Sequence, residues 1–347
     1  MSEPVPSEAP ALLIERYDAD LTRAIRSLRV TRRPVPQPGP GQVLVRIEAA
    51  PCNPSDLLFL QGLYGVSKAL PTVPGWEGAG TVVASGGGWL GRRLVGKRVA
   101  CAGQTDGDGT WARYYLTQAR TCVPLQRGLD LERGATLIIN PLTAIGLMEE
   151  ARRFGAQAVI QTAGASQVGR MVLRLASDAG LPLVNVVRRD EQVELLRSLG
   201  AEHVLNSESD AFDEDLGRLC SDLRVSVAFE AVAGDMTGRL LEAMPRGSAA
   251  IVYGALSERP CGAINPIGVI FEGKRVEGFY LGDWLQRRGL LSMLRLTSRA
   301  QRLVRDGGLD TQVQRHAGFD EAVEALLHYQ QNMTDGKVLI RPQRCAD

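Results

Sequence analysis

The chain has 347 residues and only three histidines, His203, His316 and His328, far apart and none beside a cysteine. Its six cysteines, Cys52, Cys101, Cys122, Cys220, Cys261 and Cys345, form no Cys-x-x-Cys pair. Neither set has the spacing of a zinc site. Scattered thiols without an export signal argue for a reducing, cytoplasmic compartment. No stretch approaches the ~18 consecutive apolar residues of a membrane helix. Lys and Arg total 40 against 39 for Asp and Glu. That balance excludes a global field that would draw nucleic acid or an anionic membrane. The opening "MSEPVPSEAP" lacks the basic-then-apolar order of a secretory signal and reads as a loose lead-in. No internal repeat is present.

What the chain does contain is two patterns in succession. Up to about residue 125 it is β-rich. "GQVLVRIEAA" (41–50) alternates apolar and polar residues, and "GTVVASGG", "GKRVACAG" and "WARYYLTQ" are further short strands bounded by glycine. Between them, "NPSDLLFLQGLYG" predicts one short helix followed by a loop, with Pro54 in its first turn and Ser55 or Asp56 in its capping region. From about 126 the chain alternates strand and helix. "AQAVIQTA", "PLVNVV", "EHVLNS", "VSVAFEAV" and "SAAIVYGA" read as strands, with amphipathic helices between them. Continuous apolar strands separated by such helices predict an α/β fold whose parallel sheet is covered on both faces. After about 265 the pattern is mixed, ending in a last strand at "GKVLIRP".

"AVIQTAGASQVGRMVLRLA" runs strand, glycine-containing turn, helix, which is the setting a dinucleotide fingerprint requires. Gly164, Ala165, Ser166, Gln167 and Val168 form the turn and helix start against which a pyrophosphate would lie. The glycine pattern is incomplete, and an ordinary βα turn with Gly169 for close packing accounts for it equally. The end of the next strand, "NVVRRDE", adds weight. An NAD site places an acid there, whereas Arg188 and Arg189 suit the 2′-phosphate of NADPH. The alternative is a solvated arginine pair opening a helix with Asp190 as its cap. Cations are poorly placed at a helix N-terminus, which favours the cofactor reading.

"NPSDLLFLQGLYG", "PGWEGAGTVV", "NPLTAIGLM", "NVVRRDE", "RSLGAEHVLN" and "GFYLGDW" occur in an order and spacing that resembles the zinc-free branch of the medium-chain dehydrogenase/reductase superfamily. Within it the chain looks most like the 2-enoyl thioester reductases, with quinone oxidoreductases close behind. The resemblance implies a GroES-like β-rich catalytic domain (1–125 and 266–347) with a Rossmann NADPH-binding domain (126–265) inserted, and the nicotinamide in the cleft between them. Zinc-dependent relatives have a cysteine in the first motif and a histidine in Gly-His-Glu. Here those places hold Asn53, with Cys52 one residue off as a packing residue, and Trp76. No metal is expected.

The resemblance puts Tyr64 over the cofactor. A tyrosine, with a reference pKa of ~10, arrives protonated at neutral pH and can supply a proton without histidine or metal. A tyrosine beside a turn is otherwise an amphipathic cover. Asn53 either orients Tyr64 or the substrate carbonyl, or makes an Asx turn before Pro54. Thr143 contacts the nicotinamide or is a buried helix threonine. The backbone from Phe279 to Leu281 is implied at the carboxamide and Trp284 in the acyl pocket, the alternative for Trp284 being core. Tyr253 stacks near the cofactor phosphate or ribose. Lys337 reaches the cofactor or is a surface charge. Three functions compete: a reductase of 2-enoyl thioesters on CoA or acyl carrier protein, an NADPH:quinone oxidoreductase, and a non-catalytic nucleotide sensor. The arginine-rich segment 286–305, with Arg295 and Arg299, is either a rim for an acyl carrier or a solvated face. A homodimer pairing sheet edges through residues 263–281 is expected from the resemblance.

Overall fold

The structure, a computed structural model, describes residues 4–344, so Cys345 and the first three residues of the lead-in lie outside it. The chain divides into two compact units, one of residues 1–139 and 296–347, the other of residues 140–295.

The first unit is built on a seven-stranded sheet. Its order is Val313–Ala317, Lys337–Ile340, Gln42–Pro51, Glu77–Ser85, Arg98–Ala102 and Cys122–Pro124, with Tyr114–Gln118 pairing the other register of Gln42–Pro51. All pairings are antiparallel except that of Val313–Ala317 with Lys337–Ile340. The alternation in 41–50 is matched by the strand Gln42–Pro51, whose Val43, Val45 and Ile47 are wholly buried. The helix after Asn53 is Pro54–Gln61, ended by Gly62 in the left-handed region at φ 74°.

The lead-in is not loose throughout. Glu8–Leu13 is a strand, paired antiparallel with Arg29–Pro34, and Leu12, Leu13 and Ile14 enter the core. Its partner lies some twenty residues on, so the polar, proline-bearing composition gave no local sign of the pairing.

The second unit is a six-stranded parallel sheet in the order His203–Asn206, Leu183–Val187, Val159–Gln161, Val227–Glu230, Ala249–Val252, Arg275–Gly278. Counted along the chain this is 3-2-1-4-5-6, the doubly wound order, with the connection reversing between Val159–Gln161 and Val227–Glu230. Leu183–Val187 is buried at every position, as its unbroken apolar run requires.

The unit boundaries differ from those expected at 125/126 and 265/266. Residues 131–135 form a helix packed on the first sheet, where Gly134 lies against Leu125 and Ala79. At the other end, Arg275–Gly278 adds a sixth strand to the parallel sheet. The helix Ile139–Arg153 shows no amphipathic period at its start because Asn140 through Met148 are all buried, leaving no polar stripe.

Candidate active site

In the first unit the site is assembled around Trp76. Gly75, at φ 109°, makes the turn before it, and a Cβ there would meet Thr110 Oγ1 at 2.4 Å. The Trp76 indole is buried and serves as a platform. The Tyr64 ring lies on it at 5.1 Å between centroids, Phe59 meets it edge-on at 5.3 Å, and the Lys68 ammonium lies 4.7 Å from the ring centre. The position that would carry a zinc-binding histidine is thus filled by an aromatic surface under the candidate proton donor.

Beneath this platform lies a buried polar cluster. Asn53 N–H donates to Asp56 Oδ2 (2.7 Å) and Asn53 Nδ2 to Glu77 Oε1 (2.9 Å). Trp76 N–H donates to Asp56 Oδ1 at 3.0 Å. The second Glu77 oxygen accepts from Ile138 N–H and Ile139 N–H at 3.1 and 2.9 Å. Burial pushes the Asp56 carboxyl up to about 7, with Glu77 adding to the effect and the Asn53 amide opposing it. Burial likewise raises Glu77 to about 6, against the amides and Asn53 that hold its charge. Lys337 is not a surface charge. It is 3% exposed, its Nζ donates to Tyr329 Oη at 2.9 Å, and burial lowers it to about 8 against the pull of Cys52, Glu77 and Asp56.

Asn53 is the N-cap of the helix Pro54–Gln61. Its side chain and that of Asp56 close a capping box at the start of that helix, and its amide nitrogen is committed to Glu77.

Zinc does not fit this cluster. Asn53 and Trp76 occupy two ligand places, burial pushes the Cys52 thiol up, and among the described residues no group of three His, Cys, Asp or Glu could hold a metal. Thiolate ligation needs a thiol that ionises readily.

In the second unit the fingerprint turn follows the strand Val159–Gln161. Ser166 caps the helix Gln167–Asp178, its Oγ accepting from Gly169 N–H at 3.1 Å. A Cβ on Gly169 would lie 2.3 Å from Gly164 O, so the helix start is packed onto the turn as closely as backbone allows. The position before Gly164 is Ala163, held at φ 50°. Arg188 and Arg189 are exposed at the end of the strand Leu183–Val187. The helix cap falls on Arg189, and Asp190 is the first helical residue, bonded instead by Asn206 Nδ2 at 2.8 Å. Two guanidinium groups therefore stand at a helix start whose first turn holds Asp190 and Glu191.

The other predicted residues of this unit lie along the same sheet edge. Phe279 N–H donates to Val252 O at 2.8 Å, next to Tyr253. Phe279 and Trp284 rings are 5.8 Å apart, and a Cβ on Gly146 would meet Phe279 Cζ at 2.5 Å and Trp284 Cε2 at 3.2 Å. Gly146 lies one turn beyond Thr143, which is buried in the helix Ile139–Arg153. Leu281 opens the short helix Leu281–Gln286. Trp284 is half-buried rather than core, with the Arg288 guanidinium 3.8 Å over its ring. Tyr253 Oη is buried and lacks a hydrogen-bond partner among the described residues, and burial together with Glu230 raises its pKa.

NADPH fits these residues. The glycine cradle, the capped helix start and the arginine pair suit its phosphates, and an orphaned Tyr253 hydroxyl in the same sheet favours a polar ligand. The sequence reading passed over Lys68, Asp56 as a buried acid, and Glu77. Lys68 stands alone in a loop with no pattern to mark it. The two acids sit in motifs where composition alone suggests a cap and a turn.

The comparisons with known proteins bear on family and fold. Residues 39–127 match the family model described as the alcohol dehydrogenase GroES-like domain, and residues 167–296 that described as zinc-binding dehydrogenase. The chain is 30% identical over 282 residues to a mitochondrial enoyl-[acyl-carrier-protein] reductase of Arabidopsis thaliana, covering 77% of this chain and 72% of that one. It is 31% identical over 290 residues to the Xenopus tropicalis protein of that name, covering 81% and 79%. A solved structure from Mesorhizobium loti, assigned as an NADPH:quinone reductase, shares 35% identity with a TM-score of 0.90 over 98% of this chain and 100% of its own. The Etr1p/Etr2p 2-enoyl thioester reductase heterodimer of Candida tropicalis, at 22% identity and a TM-score of 0.77 over 96% and 99%, shares the fold. This chain belongs to the medium-chain dehydrogenase/reductase superfamily, in its zinc-free branch, and is an NADPH-dependent oxidoreductase.

Proposed function

We propose that this oxidoreductase reduces the C=C bond of 2-enoyl thioesters, carried on CoA or acyl carrier protein, with Tyr64 as the proton donor. The observation that carries the reading is the replacement of a metal-binding histidine by Trp76, on whose indole the Tyr64 ring rests. Bound NADPH supplies a hydride for the β-carbon of the acceptor. The electron pair displaced from the double bond then resides on an enolate. Tyr64 donates its hydroxyl proton to the α-carbon, a general-acid step worth roughly 10²–10⁴ in rate. Asn53, fixed through Nδ2 by Glu77, orients either Tyr64 or the substrate carbonyl. Thr143, Tyr253, Phe279, Leu281 and Lys337 contribute to cofactor binding, and Trp284 lines the acyl pocket.

The curated relatives carry enoyl-[acyl-carrier-protein] reductase names, which supports the thioester class. A carrier protein would approach the arginine-bearing helix Leu290–Arg305, on which Arg295 is exposed. The five described cysteines are unpaired, in keeping with a cytoplasmic location. The exposed apolar residues at the sheet edge Arg275–Gly278 support a homodimer.

A second reading, NADPH:quinone oxidoreductase, is favoured by the Mesorhizobium loti structure at 35% identity. It requires the same cofactor site and no committed proton donor. NADPH oxidation by wild type and Tyr64→Phe, with crotonyl-CoA, a longer trans-2-enoyl-CoA and 1,4-benzoquinone, separates the two. Enoyl-CoA turnover that collapses in Tyr64→Phe is expected. Quinone turnover alone, indifferent to the substitution, transfers the protein to the second reading.

A further inference from the structure

Lys68 has no evident structural reason to be a cation. It is 7% exposed, and its ammonium lies 4.7 Å from the centre of Trp76 and 5.7 Å from that of Phe59. Among the described residues no hydrogen bond or ion pair reaches its Nζ. Its backbone is pinned: the Tyr17 hydroxyl donates to Lys68 O at 3.0 Å and accepts from Lys68 N–H at 2.8 Å. Tyr17 itself packs edge-on against Phe59. The lysine is therefore held by an ordered aromatic frame rather than swinging free on a loop.

The nearest carboxylates are occupied elsewhere or distant. Asp108 pairs with Arg33 at 3.2 Å and accepts from Val73 N–H. Asp56 accepts from Asn53 and Trp76. Asp106 is exposed in the next loop. These three acids favour the charged form from a distance, while burial lowers Lys68 to about 8, so it remains mostly charged at neutral pH. Contact with two ring faces offsets part of the desolvation cost of the ammonium but leaves its three N–H donors unused. A desolvated cation with free donors, on the same indole that carries Tyr64, is poised for an anion.

We propose that Lys68 determines acceptor specificity by binding a carboxylate on the acyl chain, so that the favoured substrates are 2-enoyl thioesters of dicarboxylic acids. The inference rests on the reading of Tyr64 as the reacting centre. Its alternative is that the lysine only staples the aromatic frame through cation–π contact.

The test compares trans-glutaconyl-CoA, whose acyl chain carries a carboxylate, with crotonyl-CoA, which lacks one. Wild type, Lys68→Met and the conservative Lys68→Arg are measured, with thermal melts to confirm folding and Lys68→Gln replacing any variant that does not fold. Wild type is expected to prefer glutaconyl-CoA, and Lys68→Met to lose about 10- to 100-fold in kcat/KM for it, chiefly through KM. The loss on crotonyl-CoA is clearly smaller than that on glutaconyl-CoA, and Lys68→Arg restores most of the preference. An unchanged ratio between the two substrates in Lys68→Met, or an equal loss on both, overturns the proposal in favour of the staple. If wild type reduces quinones but neither thioester, it is the function reading that fails. Lys68 is then judged on 1,2-naphthoquinone-4-sulfonate against 1,4-naphthoquinone, where an unchanged ratio in Lys68→Met overturns an anion-binding role.

Discussion

The Tyr64 ring lies on the Trp76 indole with centroids 5.1 Å apart and planes inclined at 45°. The indole thus fills the place of a metal ligand and supports the side chain that would take over the metal's work. The substitution is embedded in its surroundings, since the Trp76 backbone is held by Asp56 and the Cys52 thiol is buried and neutral. Trp76→His is accordingly expected not to restore a metal site. Zinc measured by elemental analysis after dialysis against the ion should stay far below one per chain. Stoichiometric zinc would reject this account of the pocket.

The arginine pair at the end of Leu183–Val187 should set cofactor preference. In Arg188→Ala/Arg189→Ala, NADPH affinity is expected to fall by about 10- to 100-fold, with NADH affinity unchanged. Fluorescence titration with both cofactors decides it. Equal weakening of the two would mean that the pair supports the loop rather than the 2′-phosphate.

Gly169 tests the cradle. Its missing Cβ leaves room for Gly164 O, which would otherwise be 2.3 Å away. Since the obstacle is backbone, Gly169→Ala should cost about 1–3 kcal/mol of stability and greatly weaken NADPH binding. A variant with wild-type melting and cofactor affinity would show that the turn can shift freely.

The buried acids predict a pH dependence of stability with a definite sign. Asp56 rises from 3.8 to about 7 in the folded protein, so the folded state binds the extra proton. Its contribution is full below about pH 4 and is lost as pH rises through 7. Glu77 acts in the same sense up to about 6. Lys337, lowered to about 8, works in a different window: its contribution is present above 10.5 and lost as pH falls through 8. Asp56→Asn removes the first of these terms. The melting temperature of the variant relative to wild type should therefore climb between pH 4 and 8. A difference that stays flat across that range contradicts burial of an ionisable Asp56.

The sheet edge makes a prediction about assembly. Ile270 and Phe271 are 67% and 64% exposed beside the edge strand Arg275–Gly278. A dimer through this edge would cover them, and Ile270→Lys/Phe271→Glu should then yield monomers by light scattering. A wild-type protein that is already monomeric would refute the arrangement.

The chain's own local patterns determined much of this protein. Unbroken apolar runs such as Leu183–Val187 announced a doubly covered parallel sheet, because such a strand has no face for water. Alternation in Gln42–Pro51 announced the first unit's sheet, and "AVIQTAGASQVGRMVLRLA" announced the strand–turn–helix around Gly164. Tryptophan at position 76 and asparagine at position 53 already deny zinc two of its ligands in the sequence itself. Other features depended on partners distant in sequence. Glu8–Leu13 is a strand only because Arg29–Pro34 lies beside it. Ile139–Arg153 hides its period because it is buried all round at its start. Lys337, an ordinary lysine in a closing strand by sequence, is buried with Tyr329, Asp56 and Glu77 once the last strand pairs with Gln42–Pro51. Lys68 becomes a caged cation only when Phe59 and Trp76 close around it. Periodicity records which face of an element is dry. Which charges share that dry space is decided by long-range pairing, and tertiary structure alone supplies it.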